Sequence, residues 1–161
     1  MSDGERRHVA WTHEILGDDY LPALQAWPLL IDEVIEDVSV RFIHYGLRTD
    51  QSGWAALVSD HGAPTLDTLF GEKQETVFYG HDHTRSDVVG AGRYINPGAL
   101  GCGRQPRARY LVARFAAGSV EIEMCAAAYD RPAVLGDYDR RRVVDRTTIR
   151  RIFFGVAPRE G

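Results

Sequence analysis

Hydrophobic and polar side chains alternate in two parts of this chain, and each alternation predicts a β-hairpin. Every second residue from Val38 to Phe42 is apolar, with polar side chains between, which is typical of a strand that buries one face. A mostly apolar stretch over 29–35 precedes it, and Glu36-Asp37 lies between the two stretches. We therefore predict strands over 29–35 and 38–43 joined by a tight turn at these two acidic residues.

The same alternation returns near residue 120, where apolar side chains alternate with Glu121 and Glu123. This pattern predicts a second hairpin with one solvated face. Shorter β signals and apolar residues at helical spacing fill most of the remaining chain, apart from a long irregular segment over 44–64. The predicted elements are strands over 76–79, 87–89, 93–95, 107–115 and 120–127, and helices over 11–27, over 65–70 and in the C-terminal third.

Length and composition predict one ordinary globular domain. The chain has 161 residues, of which 44% are hydrophobic and 26% charged, and domains of about 100–150 residues are the commonest. Its formal net charge of -4 argues against nucleic acid or an anionic membrane as the main partner. Neither a signal peptide nor a membrane span is visible, and two cysteines form no disulfide framework, so we expect a cytoplasmic protein.

Three histidines follow predicted strands directly and are the residues with the clearest chemical potential. His44 follows the strand over 38–43, and His81 and His83 follow the strand over 76–79. In an extended segment residues i and i+2 point to the same side, so we expect His81 and His83 to face one ligand while Asp82 points away. Imidazole nitrogen binds Zn, Mn, Fe or Ni, and Gly80 lets the chain turn close to a ligand.

The order of short motifs around these histidines resembles the C-terminal signature of the calcineurin-like metallophosphoesterases, particularly the small bacterial phosphodiesterases and dinucleoside-polyphosphatase-like enzymes. That signature runs G-H-x-H, a short hairpin, N-P-G-S-L-G and a strand; here the chain has Gly-His-Asp-His at 80–83, Asn-Pro-Gly-Ala-Leu-Gly at 96–101 and a predicted strand after it. The resemblance implies a four-layer α/β/β/α sandwich. It also implies hydrolysis of a phosphodiester or nucleotide-type phosphoanhydride by metal-activated water.

Carried over position by position, the resemblance makes His44 and His81 ligands of one divalent metal ion and His83 a ligand of a second. The ion would be Mn, Fe, Ni or Zn. Arginines on loops near the signature are candidates for contacting the substrate phosphate, and the polar and glycine residues of the signature are expected to shape its loops. The candidate phosphate ligands are Arg85 and Arg104, and the loop-shaping residues are Gly80, Asn96 and Gly98.

The family's upstream motifs D-x-H, G-D-x-x-x-D and G-N-H-D are absent from residues 1–161. We therefore expect an α/β (α+β) chain that is the C-terminal portion of such a domain and lacks its N-terminal strands. Without the bridging carboxylate we expect at most one metal ion, impaired activity and no assignable catalytic residue.

The sequence leaves two functions open. The first is a metallophosphoesterase that acts on a small phosphorylated substrate or nucleotide. The alternative is a non-catalytic metal-binding remnant or assembly module, whose exposed sheet is covered by another chain, a second copy of itself included.

Overall fold

A computed structural model describes residues 1–71 and 76–157 and shows a mixed α+β fold. The chain divides into two compact units. The first contains 1–27, 101–108 and 127–161, and the second contains 28–100 and 109–126. The expectation of a single domain over 1–161 stays a prediction. In chain order the elements are α1 Asp3–Leu16, α2 Leu21–Ala26, β1 Leu30–Ile35, β2 Val38–Ile43, α3 Ala63–Phe70, β3 Thr76–Phe78, β4 Ser86–Val89, β5 Arg93–Asn96, β6 Arg107–Ala116, β7 Ser119–Ala128, α4 Arg131–Arg140 and α5 Arg146–Phe154.

The second unit is built on a five-stranded sheet in the order β1-β2-β3-β5-β4. Its three central strands, β2, β3 and β5, are parallel. The outer strands run the other way, so β1 is antiparallel to β2 and β4 is antiparallel to β5. The mixed sheet therefore has a parallel centre, whose carboxyl ends all lie at one edge.

The first predicted hairpin is confirmed. Ile35 pairs with Val38, and the two turn residues Glu36 and Asp37 have φ of 48° and 67°. Positive φ at both central positions is the type I′ geometry, whose twist matches that of the two strands it joins. The second hairpin is also confirmed, as β6 and β7 form a two-stranded sheet.

Apolar side chains cover both faces of the central sheet. On one face Val40 and Ile95 are fully buried and pack against the inner face of the β6–β7 hairpin, including Leu111 and Phe115. On the other face α3 packs with Phe70 and its neighbours against the strands. Within this unit the described residues thus form three layers: α3, the five-stranded sheet and the hairpin.

Two of the helix predictions need correction. The predicted helix over 11–27 is two helices, α1 and α2, because Gly17 adopts φ of 68° and its N–H bonds the His13 carbonyl, which ends α1. The helix predicted to begin at Thr65 begins at Ala63, with Gly62 as its N-cap, because Pro64 suits the first turn. Both differences come from local end signals rather than from the apolar spacing.

The first unit contains helices α1, α2, α4 and α5. α1 begins at a capping box, in which the Ser2 hydroxyl accepts from the Glu5 N–H and the Glu5 carboxylate accepts from the Ser2 N–H. No residue of α1, α2 or α4 is buried, whereas α5 buries Phe154. In the part of the chain that the structure describes, no helix has the length and apolar character needed to cross a membrane.

The different burial of side chains on β1 and β2 predicts which truncation lowers the free energy of unfolding more. Val40 is fully buried and Val34 is 71% exposed. We expect Val40→Ala to lower the free energy of unfolding by about 2 kcal/mol, through lost burial and the cavity left behind. Val34→Ala, the same truncation on the neighbouring strand, should change it by less than about 0.5 kcal/mol. Urea unfolding measures both, and equal losses would show that the burial of Val40 does not stabilise the sheet.

Candidate metal-binding site

The candidate site lies where the three parallel strands of the second unit end. His44 follows β2 directly, the segment 80–83 follows β3 after Tyr79, and Asn96 is the last residue of β5. Because parallel strands bring their carboxyl ends to one edge of a sheet, segments that are far apart in the chain meet there. The Gly80 N–H donates to the His44 carbonyl oxygen at 2.9 Å, which joins the first two of these segments.

Two of the three predicted ligands are in direct contact. The Nε2 atom of His44 lies 3.0 Å from the Nδ1 atom of His81, and the ring centroids are 4.9 Å apart at an interplanar angle of 70°. Aromatic rings surround the pair: Trp54 lies edge-on to His44 at 5.4 Å and Tyr45 lies 5.1 Å from His81. Tyr45 is fully buried, so the pair rests on the hydrophobic core.

Burial and neighbouring charges both change the pKa of His44. Desolvation is the largest cause that lowers the pKa of His44 below its usual 6.5, and the charges of His81 and His83 lower it further. The lowered pKa favours the neutral imidazole, the form that binds a metal ion. The effect of His83 also places that third histidine in the electrostatic surroundings of the pair.

The expected extended geometry of residues 81–83 is wrong. β3 ends at Phe78, and both His81 and His83 have left-handed backbone, with φ of 72° and 60°. Non-glycine residues in this region are uncommon, and surrounding interactions must hold them there. The alternation rule for an extended segment therefore does not decide where these imidazoles point.

Asp82 supplies the interactions that hold this turn. Its side chain is only 7% exposed, and its Oδ1 atom accepts from the Asn96 amide at 2.6 Å and from the Thr84 N–H at 2.8 Å. Its other oxygen, Oδ2, lies 2.7 Å from Nε2 of His61. In the described part of the chain neither of these two buried atoms has an aligned hydrogen bond, so the contact is electrostatic.

The sequence favours a surface position for His61 and leaves an approach to a substrate from the long segment 44–64 as the alternative. In the structure its side chain is 22% exposed and faces Asp82. It lies in the long segment between β2 and α3, where no hydrophobic period indicates direction. The one signal in the sequence is that long segments inside compact folds are often functional.

The residues expected to shape the loops lie in the same unit. Asn96 is fully buried, and its Oδ1 atom accepts from the Gly98 N–H at 2.8 Å. Gly98 has φ of 88°, and a Cβ atom there would lie 3.0 Å from the Arg109 side chain, so both backbone and space favour glycine. Gly80 has ordinary room for a Cβ atom, 3.8 Å from the His44 carbonyl oxygen.

The two arginines predicted as phosphate ligands belong to different units. Arg85 is in the second unit, where its guanidinium donates to the Cys125 carbonyl oxygen. Arg104 is in the first unit, where its carbonyl oxygen accepts from Arg131 and its side chain lies beside Gly155. A phosphate contact by either arginine stays a prediction.

Across residues 1–71 and 76–157 no group of three or more His, Cys, Asp or Glu side chains is arranged to hold a metal ion. The histidine pair nevertheless has donor atoms suited to one. Two nitrogens bound to a tetrahedral ion at 2.0–2.1 Å lie about 3.3 Å apart, close to the observed 3.0 Å between His44 and His81.

Comparison with solved structures finds a protein of similar fold with a high structural score. A hypothetical protein from Pyrococcus horikoshii, PH1004, superposes with a TM-score of 0.78 at 15% sequence identity, covering 98% of this chain and 63% of that one. This likeness shows the α+β fold alone, and the chain spans less than two thirds of its neighbour. No protein-family model and no curated protein matches the chain.

Two further structures match with lower scores. Protein TM1076 from Thermotoga maritima has a TM-score of 0.44 and 26% identity over 69% of this chain and 62% of that one. Vacuolar protein sorting 29 from Cryptosporidium parvum has a TM-score of 0.32 and 14% identity over 64% and 58%. Both scores are too low to establish a shared fold.

The pKa of His44 predicts how stability depends on pH. Because this pKa is lowered in the folded state, the unfolded chain binds more protons just below pH ~6.5, so the free energy of unfolding should fall as the pH drops through that value. His44→Gln should reduce this fall. Urea unfolding of both proteins at pH values of about 7.5 and 5.5 measures the difference, and an identical pH dependence would contradict the assignment.

Proposed function

We propose that this chain is a metal-binding module of a phosphoesterase, and that the His44–His81 pair holds a divalent metal ion. The observation that carries the proposal is the meeting of these two imidazoles, 3.0 Å apart, at the carboxyl edge of three parallel strands. Ligand sites in sheets with parallel strands commonly lie at that edge. Mn, Fe, Ni or Zn suits an imidazole site.

The chemistry of the pair supports metal binding over a simple hydrogen-bonded contact. The lowered pKa of His44 keeps a lone pair available. His44 directly follows β2, and the His81 ring packs beside the buried Tyr45. His83 lies near enough to influence His44 and is the candidate for an additional ligand. When bound, the metal ion would lower the pKa of a water molecule and neutralise charge on a phosphoryl group.

The resemblance of residues 80–101 to the metallophosphoesterase signature supports a phosphoester as the substrate class. A phosphodiester or a nucleotide-type phosphoanhydride fits this reaction, with the attacking water placed at the histidine pair. The buried Asn96 and its bonds to Asp82 and Gly98 keep the loops around the pair in place. Arg85, on the loop that contains two of the histidines, is the better candidate for a phosphate contact of the two arginines.

A second function is favoured by a separate observation. The described residues contain only a pair of close histidines, and the edge strand β1 exposes Ile31 by 46% and Val34 by 71%. An exposed apolar edge strand is a template for pairing with another chain. The alternative proposal is therefore a non-catalytic assembly module in which a second copy covers this strand.

Metal binding and turnover distinguish the two functions. We expect the purified chain to bind one Mn²⁺ or Zn²⁺ ion in calorimetry, and His81→Ala to weaken binding at least tenfold because one of two close nitrogen donors is removed. The Mn²⁺-loaded chain should hydrolyse bis(p-nitrophenyl) phosphate, and His81→Ala should not. His13→Ala, a histidine on α1 in the other unit, is the matched control and should leave both measurements unchanged.

Two outcomes would overturn the phosphoesterase proposal. One is metal affinity that His81→Ala leaves unaltered, which would mean that the pair is not the binding site. The other is tight metal binding without turnover under any of the four metals. In that case the assembly module would be favoured, and sedimentation should show a dimer that Val34→Lys disrupts.

A further inference from the structure

A buried carboxylate next to the histidine pair has an oxygen that no turn hydrogen bond uses. Oδ1 of Asp82 accepts from Asn96 and Thr84, which accounts for the loop. In the described part of the chain, Oδ2 faces Nε2 of His61, at 2.7 Å. The turn hydrogen bonds alone do not explain why the charged Oδ2 atom is buried against an imidazole. Burying a carboxylate is costly unless a partner compensates.

The loop on either side of His61 is held by hydrogen bonds of its own. The neighbouring Asp60 accepts from the Gly62 N–H and from the Thr65 hydroxyl, both at 2.9 Å. These bonds tie the backbone around His61 to the first turn of α3. The backbone around His61 is therefore held by its own loop, and the side chain contacts Asp82.

A carboxylate that faces one nitrogen of an imidazole determines which of the two ring nitrogens is available for proton transfer. With Nε2 facing Asp82, the carboxylate favours a proton on that nitrogen, and Nδ1 is the nitrogen left for a reacting group. Asp82 directly follows His81, whose ring touches His44. His61 is thus linked to the metal-binding pair through a single residue.

We propose that Asp82 positions His61 to transfer a proton to the leaving group during phosphoester hydrolysis, an inference that rests on the proposed function. Water attacks phosphorus and the bond between phosphorus and the ester oxygen breaks. His61 enters this step with a proton on both ring nitrogens, and the departing oxygen takes the proton from Nδ1 and leaves as an alcohol. The proton released by the attacking water returns to Nδ1, so the overall reaction consumes one water.

Leaving groups of different basicity test the role of His61. p-Nitrophenolate departs without a proton, whereas phenolate is a more basic leaving group that gains from protonation. We expect His61→Gln in the Mn²⁺-loaded chain to lower kcat for diphenyl phosphate by about 10²-fold, and for bis(p-nitrophenyl) phosphate by less than about fivefold. KM should stay unchanged for both esters. His13→Gln is the control with both activities unaltered.

The outcomes separate this inference from the proposed function. Equal losses for the two esters would show a structural role for His61 and overturn the inference while the phosphoesterase stands. Absence of turnover of both esters by the unsubstituted chain would overturn the two together. Circular dichroism and thermal unfolding confirm that each variant is folded.

The positioning role of Asp82 has its own readout in the metal-free chain. Imidazole ¹⁵N spectra should show His61 with its proton on Nε2, and Asp82→Asn should shift the proton to Nδ1, because the asparagine NH2 group then donates to Nε2. Asparagine keeps an oxygen for Asn96 and Thr84, so the loop should survive. An unchanged tautomer in Asp82→Asn would show that Asp82 does not orient His61 and would overturn the inference.

Discussion

The parallel pairing of β2, β3 and β5 is the constraint on which the candidate site depends. Register places Phe42 beside Phe78 and Phe78 beside Ile95, so all three strands end at nearly the same level. The residues that follow these strands are thereby brought together at one edge of the sheet. The imidazole pair is a product of backbone hydrogen bonding as much as of its own chemistry.

Burial on both faces makes this pairing rigid. Val77 and Tyr94 are fully buried under α3, and Val40 and Ile95 are fully buried under the β6–β7 hairpin. Because the chain cannot slip by one residue without exchanging the two faces, the register is strongly determined. The chemistry at the strand ends can therefore lie on short loops and still keep its geometry.

Strands and hairpins were largely predictable because alternation of apolar and polar residues reports directly on which face is buried. The Glu36-Asp37 turn followed from the two runs on either side of it. Helix ends were harder to predict, because the break at Gly17 depends on one positive φ and the start of α3 depends on Pro64. The candidate ligands His44 and His81 followed from their position after strands, whereas His61 carried no pattern of its own.

The sequence alone determined the secondary structure of the central sheet, the two hairpins and the position of three histidines in the segments that follow β2 and β3, because these features depend on local periodicity and on residue type. Only the tertiary structure decided that β2, β3 and β5 are parallel neighbours, that residues 81 and 83 adopt left-handed backbone, and that Asp82 faces His61. Those features depend on contacts between residues far apart in the chain, which no local pattern records. The buried carboxylate of Asp82 is the clearest case, since its partners come from two loops and the end of a strand.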